Sequence, residues 1–224
     1  MSALPRHQLI LPFPERASYA RDDFVASACN REAFGFVEAW RAWPGGAFAI
    51  SGAPGAGKSH LGAIWADMTG AERFFGADLC GDSWRRLSEA RALFLDEADR
   101  AEATALFHLM NALKAADRPL LLAAENPPRG WDVALPDLKS RLNAMPSAHI
   151  APPDDALLRA ILEKLLKDKG LIVREAVLDY AVARMERSFQ GARALAADLA
   201  AAADQREKVT TGLVGRLIRD APSP

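Results

Sequence analysis

Apolar residues along this chain follow two patterns, and the patterns are segregated. In the first two-thirds, short apolar runs recur: Phe48-Ala49-Ile50, Phe74-Phe75 after Arg73, Ala92-Leu93-Phe94-Leu95, and Pro119 to Ala124 with Leu120-Leu121-Leu122. Runs of this length, bounded by turn residues, predict buried strands. Between them, three- and four-residue spacing predicts helices. Phe34, Val37 and Trp40 mark one from Asn30 to Trp43, ended by Pro44-Gly45-Gly46, and Leu61, Ile64 and Trp65 mark one beginning at Ser59. Leu106, Leu109, Met110 and Leu113 mark one from Thr104 to Ala116, and residues 135–142 read as a short helical segment. Strands that are apolar throughout and alternate with helices predict a parallel sheet covered on both faces, an α/β fold.

Ala151-Pro152-Pro153-Asp154 interrupts the alternation and is the expected domain boundary. Beyond it only helical spacing remains. One stripe is Leu157, Leu158, Ile161, Leu165 and Leu166, closed by Gly170. A second runs from Val177 to Arg187, an Ala-rich third from Ala192 to Gln205, and a shorter fourth from Val209 to Arg219. A block of helices after a sheet predicts a lid. Pro5, Pro12 and Pro14 forbid a helix at the start and favour an extended tail. The expected organisation is a tail over residues 1–18, a sheet domain over 19–150 and a helical lid over 151–224.

Composition changes this picture little. Half of the residues are hydrophobic, a quarter are charged and the formal net charge is −1, ordinary for a globular protein and unlike a basic nucleic-acid-binding domain. Cys29 and Cys80 have no disulfide framework or zinc spacing, as expected of a reducing cytoplasm. Neither a membrane span nor a signal peptide is expected.

The candidate chemistry begins at residues 52–59, Gly-Ala-Pro-Gly-Ala-Gly-Lys-Ser, a complete G-x-x-x-x-G-K-[ST] phosphate loop between a predicted strand and a predicted helix. Gly52, Gly55 and Gly57 let backbone N–H groups approach an anion, and the helix start adds its positive end. Lys58 is expected to reach the outer phosphates and the Ser59 hydroxyl to ligate Mg²⁺. The ligand is therefore a nucleoside di- or triphosphate with Mg²⁺. Asp96-Glu97 follows an apolar strand, where Asp96 is expected to hold Mg²⁺ through water and Glu97 to orient and deprotonate an attacking water. Glu125 or Asn126, ending the next strand, is a candidate for positioning that water. Lys139 and Arg141 are both candidates to act on a neighbouring molecule's phosphates. Arg193, expected at the start of the third lid helix, is a candidate to swing onto the bound phosphates.

Taken together these motifs resemble the AAA+ ATPases, and among them the family of the bacterial replication initiator DnaA. Leu138-Lys139-Ser140-Arg141-Leu142 is similar to the box that carries the family's arginine finger, with Arg141 at the finger position. Gly191-Ala192-Arg193-Ala194-Leu195 is similar to the lid motif of the second sensor arginine, and Asp23-Phe24-Val25 to the segment that touches adenine. The resemblance implies a five-stranded parallel sheet, bound ADP or ATP, weak intrinsic hydrolysis at most, and head-to-tail packing against a like module. The chain ends after the lid helices, so a DNA-reading domain and sequence-specific DNA binding are not expected. The short interval between Lys58 and Asp96 also leaves little room for the helical insertion of initiators and helicase loaders.

Gln8-Leu9-Ile10-Leu11-Pro12-Phe13 resembles the peptide that docks on the bacterial sliding clamp, the β subunit of DNA polymerase III. Gln8 can donate and accept at a pocket rim, Leu9, Leu11 and Phe13 supply apolar anchors, and Pro12 limits the entropy lost on docking. The resemblance thus implies a clamp-bound regulator of replication initiation that stimulates hydrolysis of DnaA-bound ATP through Arg141. Two other roles fit the same residues: a self-assembling ATPase or loader, in which Arg141 acts within a homo-oligomer, and a nucleotide-gated adaptor that brings another client to the clamp.

Overall fold

The computed structural model describes Arg21 and residues 24–204 and 208–220. The first helix, α1 (Arg31–Glu38), is shorter than its spacing predicts. The chain leaves it through two 3-10 turns, at Trp40–Ala42 and Pro44–Gly46. Aromatic packing is the reason. Trp43 stacks on both Phe48 and Trp65, at 5.3 Å each, and its indole N–H donates to the Phe36 carbonyl at 2.8 Å. A continuous helix could not fold Trp43 back into that position.

The sheet contains β1 (Ala47–Gly52), β2 (Glu72–Phe75), β3 (Leu93–Asp96), β4 (Leu120–Ala124) and β5 (Ser147–Ile150). All four pairings are parallel and the order is β2-β3-β4-β1-β5. The three central strands are the uniformly apolar runs, because helices cover both of their faces. The edge strand β5 alternates exposed and buried residues, with polar Ser147 and His149, so no apolar run announces it.

Side-chain alternation sends each central strand into two cores. Phe48, Ile50, Phe94, Leu121 and Ala123 pack beneath α1 and α2 (Lys58–Thr69) with Leu61, Ile64 and Trp65. Ala49, Leu93, Leu95, Leu120 and Leu122 face the opposite way. They meet α3 (Ser83–Leu87), α4 (Ala103–Ala115) and α5 (Pro136–Ala144) through Leu87, Leu106, Leu109, Leu113, Leu138 and Leu142.

The remaining helices share a core of their own. They are α6 (Asp155–Asp168), α7 (Glu175–Val182), α8 (Phe189–Asp204) and α9 (Thr211–Asp220). Leu158, Leu162, Leu178, Ala192, Ala196, Leu199 and Val214 meet inside them. Asp154 caps α6 by accepting from the Leu157 N–H at 2.8 Å. The second helix stops at Val182, five residues before Arg187, where the periodicity carried it. The third begins at Phe189, three residues before Ala192, because Ser188 Oγ accepts from the Gly191 N–H at 2.9 Å and caps the first turn. Val25 and Cys29 pack on this core from the segment before α1, and Ala151 N–H donates to the Cys29 carbonyl. Among the described residues no helix is long and apolar enough to cross a membrane.

Gly76 lies beneath the turn that follows β3. A Cβ there would sit 2.1 Å from the Glu97 carbonyl oxygen and 3.0 Å from the Ala98 Cα. Backbone cannot yield as a side-chain tip does, so Gly76→Ala is expected to cost about 1–3 kcal/mol, as overpacking does. The change in urea unfolding midpoint at constant slope measures it.

Candidate functional site

The loop of residues 52–57 leaves the carboxyl end of β1, between β4 and β5. Open parallel sheets place their ligands at this end. Gly52 N–H donates to the Glu125 carbonyl at 3.1 Å, which fixes the start of the loop against β4. A Cβ on Gly52 would lie 2.8 Å from the Ile150 carbonyl oxygen. Gly55 and Gly57 are left-handed, with φ of 71° and 97°, and Gly57 caps α2. The loop therefore turns its backbone toward the α2 N-terminus, a geometry suited to anions.

Lys58 Nζ donates to two carbonyls of its own loop, Gly52 at 2.7 Å and Ala53 at 3.0 Å. An ammonium has three N–H donors, so a third remains to meet a ligand. Burial lowers the Lys58 pKa from its ordinary 10.5, while the charges of Asp96, Glu125, Asp99 and Glu97 oppose that in decreasing order. The site is thus a cation ringed by carboxylates from the carboxyl ends of β3 and β4. Ser59 stands beside Lys58 on the first turn of α2.

Asp96 is buried at the end of β3 and accepts from the Glu97 N–H at 3.0 Å. Among the described residues no three His, Cys, Asp or Glu side chains are grouped to hold a metal on their own. Mg²⁺ takes one or two protein oxygens and completes its shell with phosphate and water. Ser59 and Asp96 are the residues able to supply them. Glu97 has a left-handed backbone, φ 50°, and its carboxylate pairs with Arg100 at 2.9 Å. It is the weakest of the four charges acting on Lys58, in keeping with a side chain engaged elsewhere. Of the two residues after β4, Glu125 acts on Lys58 and its carbonyl holds the loop, whereas the Asn126 carbonyl accepts from the Trp131 indole at 2.9 Å.

The α8 N-terminus covers the loop. A Cβ on Gly55 would meet Gln190 Cβ at 3.1 Å and Ser188 at 3.3 Å, and one on Gly57 would meet the Phe189 ring at 3.9 Å. Arg193 lies four residues after Phe189, on the same helix face, in the second turn rather than at the helix start. Ser188, Phe189 and Gln190 were not singled out from the sequence. The cue available there was a Ser three residues before Gly191, a capping arrangement. Phe24 stacks on Phe34 at 5.0 Å and meets His60 edge-on at 5.4 Å, while Val25 reaches the α6–α9 core. These two residues flank the junction of the sheet layer and the helical block. Asp23 and residues 8–13 lie outside the described residues.

Arg141 is not part of this cluster. It sits near the C-terminus of α5, with its guanidinium carbon 5.1 Å over the Phe107 ring, and shares a cavity with Ala47, Leu120 and Pro146 at the amino ends of β1, β4 and β5. The length of β1, about 16 Å at the rise of a strand, separates that end from the phosphate loop. Lys139 is exposed on the same helix.

No family model matches the chain. Similar solved structures include the following three. Domain III of the Thermotoga maritima replication initiation protein DnaA aligns over 95% of this chain and all of that one, with a TM-score of 0.80 and 19% identity. A replication initiator DnaA bound to AMPPCP and single-stranded DNA aligns over 89% of this chain and 68% of that one, with a TM-score of 0.72 and 20% identity. The Thermotoga maritima RuvB Holliday junction branch migration motor aligns over 90% and 71%, with a TM-score of 0.70 and 17% identity. At these identities the likeness is one of fold: the chain has the AAA+ fold, a five-stranded parallel sheet followed by helices.

The lowered Lys58 pKa has a sign that can be measured. The unfolded chain keeps this proton to higher pH than the folded chain, so folding stability gains from the group as pH rises toward 10.5. Wild type is expected to gain stability relative to Lys58→Met as pH rises toward 10.5 in urea titrations. A pH-independent difference would contradict the assignment.

Proposed function

We propose that the chain binds an adenine nucleotide with Mg²⁺ at residues 52–59 and that its principal action is on a nucleotide bound to a second protein. The role we assign is that of the Hda class, regulatory inactivators of DnaA. Residues 8–13 tether the chain to the DNA-loaded sliding clamp. Its own nucleotide is held by Lys58, Ser59 and Asp96, closed over by Arg193 of the α6–α9 lid and flanked by Phe24 and Val25, with Asp23 beside them. That nucleotide fixes the arrangement of lid and sheet. Arg141 then enters the nucleotide site of ATP-bound DnaA.

One observation carries this reading: Arg141 stands at the opposite end of the strands from the phosphate loop of its own chain. It is too far to serve that loop, so any phosphate it meets belongs to another molecule. Arg141 also takes part in no ion pair among the described residues. In the partner, water attacks the γ-phosphorus and the bond to the β–γ bridging oxygen breaks, giving ADP and phosphate. The guanidinium fork stabilises charge on the transferring oxygens, which contributes about 10³ to 10⁵ in rate for fingers of this kind. The pairing of Glu97 with Arg100 favours slow hydrolysis of the chain's own nucleotide.

The presence of both Asp96 and Glu97 after β3 supports a second reading, a self-assembling ATPase in which Arg141 serves a neighbouring copy. Appreciable turnover by the chain alone, lost in Arg141→Ala, would identify it.

The assay that tests the first reading follows hydrolysis of DnaA-bound ATP with clamp-loaded DNA. Arg141→Ala is expected to lower the stimulated rate by about 10³ while leaving nucleotide binding intact. Lys58→Ala is expected to lose nucleotide binding, and Gln8→Ala to lose stimulation only where the clamp is required. Unimpaired stimulation by Arg141→Ala would remove the finger assignment.

A further inference from the structure

The cavity beside Arg141 is the feature that the proposed function leaves unused. It is about 170 Å³ in volume. Its floor is apolar, formed by Met110, Leu113 and Met145, and one wall is the turn at Gly45 and Gly46, both left-handed, which presents backbone without side chains. Lys114, Arg118 and Arg141 stand around it, and no acidic side chain lines it. The nearest carboxylate in sequence, Asp117, lines an adjacent hollow with Glu89 and Arg91, and Arg118 borders both hollows. Arg118 donates to the Ser88 carbonyl, and Arg141 lies over Phe107. Neither bond neutralises a charge. In a chain of net charge −1, Lys114 and Arg141 around an apolar hollow that no acidic side chain lines among the described residues, with Arg118 at its edge, form a surface suited to an anion.

The opposite end of the same sheet supplies a candidate for that anion. Asp96, Glu97, Asp99 and Glu125 surround Lys58 at the phosphate-loop end. A partner of the same fold that offers its nucleotide to Arg141 would present the same end of its sheet. We propose that Lys114 and Arg118, with the cavity between them and Arg141, form a docking site for an acidic, apolar-anchored segment beside the partner's nucleotide. An apolar side chain enters the hollow, and its flanking carboxylates meet the two cations. Arg141 supplies the rate, and this site supplies affinity and choice of partner. The inference rests on the trans action proposed for Arg141.

Its test separates affinity from rate. Binding of the ATP-bound AAA+ domain of DnaA is measured directly, and hydrolysis is followed at saturating protein. Lys114→Glu reverses one rim charge on an exposed side chain. Ala144→Trp fills the cavity from an exposed position on α5 and changes no charge. Each is expected to raise Kd by about tenfold and to leave the maximal rate within about twofold, since a rim charge mainly alters association. The Lys114→Glu deficit should shrink as salt rises to about 0.5 M, where exposed charges are screened, while the Ala144→Trp deficit should persist. Arg141→Ala should do the reverse, losing rate and keeping most of the binding. Unchanged Kd in both Lys114→Glu and Ala144→Trp overturns the docking site. If Arg141→Ala keeps full stimulation, the finger assignment falls instead, and the two Kd values still decide the site. Unfolding midpoints of both variants confirm that they are folded.

Discussion

The double pairing of β1 governs both ends of this molecule. β1 is hydrogen-bonded to β4 on one side and to β5 on the other, so it can neither slide nor tilt. At its carboxyl end, Gly52 is locked to the Glu125 carbonyl and pressed against Ile150 with no room for a Cβ. The phosphate loop therefore departs in one direction only. At its amino end, Ala47 lies beside the cavity that Arg141 shares. The same short strand thus sets the position of the loop and its separation from the arginine.

Electrostatics follow from this arrangement. Strand carboxyl ends gather acidic residues around Lys58, and the lysine is held by loop carbonyls as well as by those charges. It is neither fully hydrated nor paired with a single carboxylate. The loop carbonyls thus order the Lys58 ammonium within the fold itself. Helix α8 adds a second constraint, since a Cβ on Gly55, whose φ of 71° already disfavours one, would crowd Gln190 and Ser188.

What could be read from the sequence depended on burial. Central strands covered on two faces spell continuous apolar runs, so β1, β3 and β4 were visible in Phe48–Ile50, Leu93–Leu95 and Leu120–Leu122. The edge strand β5 alternates Ser147, Ala148, His149 and Ile150, and such a pattern is too short to separate from a loop. The break in the helix after Glu38 depends on Trp43 reaching Trp65, a contact between residues far apart in the chain. The phosphate loop was legible because its chemistry is local, a strand, a turn and a helix start in succession. The pairing of Glu97 with Arg100, the stacking of Arg141 on Phe107 and the cover of the loop by α8 all arise between side chains whose proximity is a product of folding.

The separation of the loop and Arg141 to opposite ends of the strands also determines the symmetry of any complex they make. A contact that joins the arginine end of one molecule to the nucleotide end of another uses two different surfaces, so it has no two-fold axis and leaves one end of each molecule unoccupied. Such a contact has polarity. It cannot close as a symmetric pair: repeated, it closes into a ring or continues as a helix, and otherwise it ends where a participant lacks the complementary end or something else covers it.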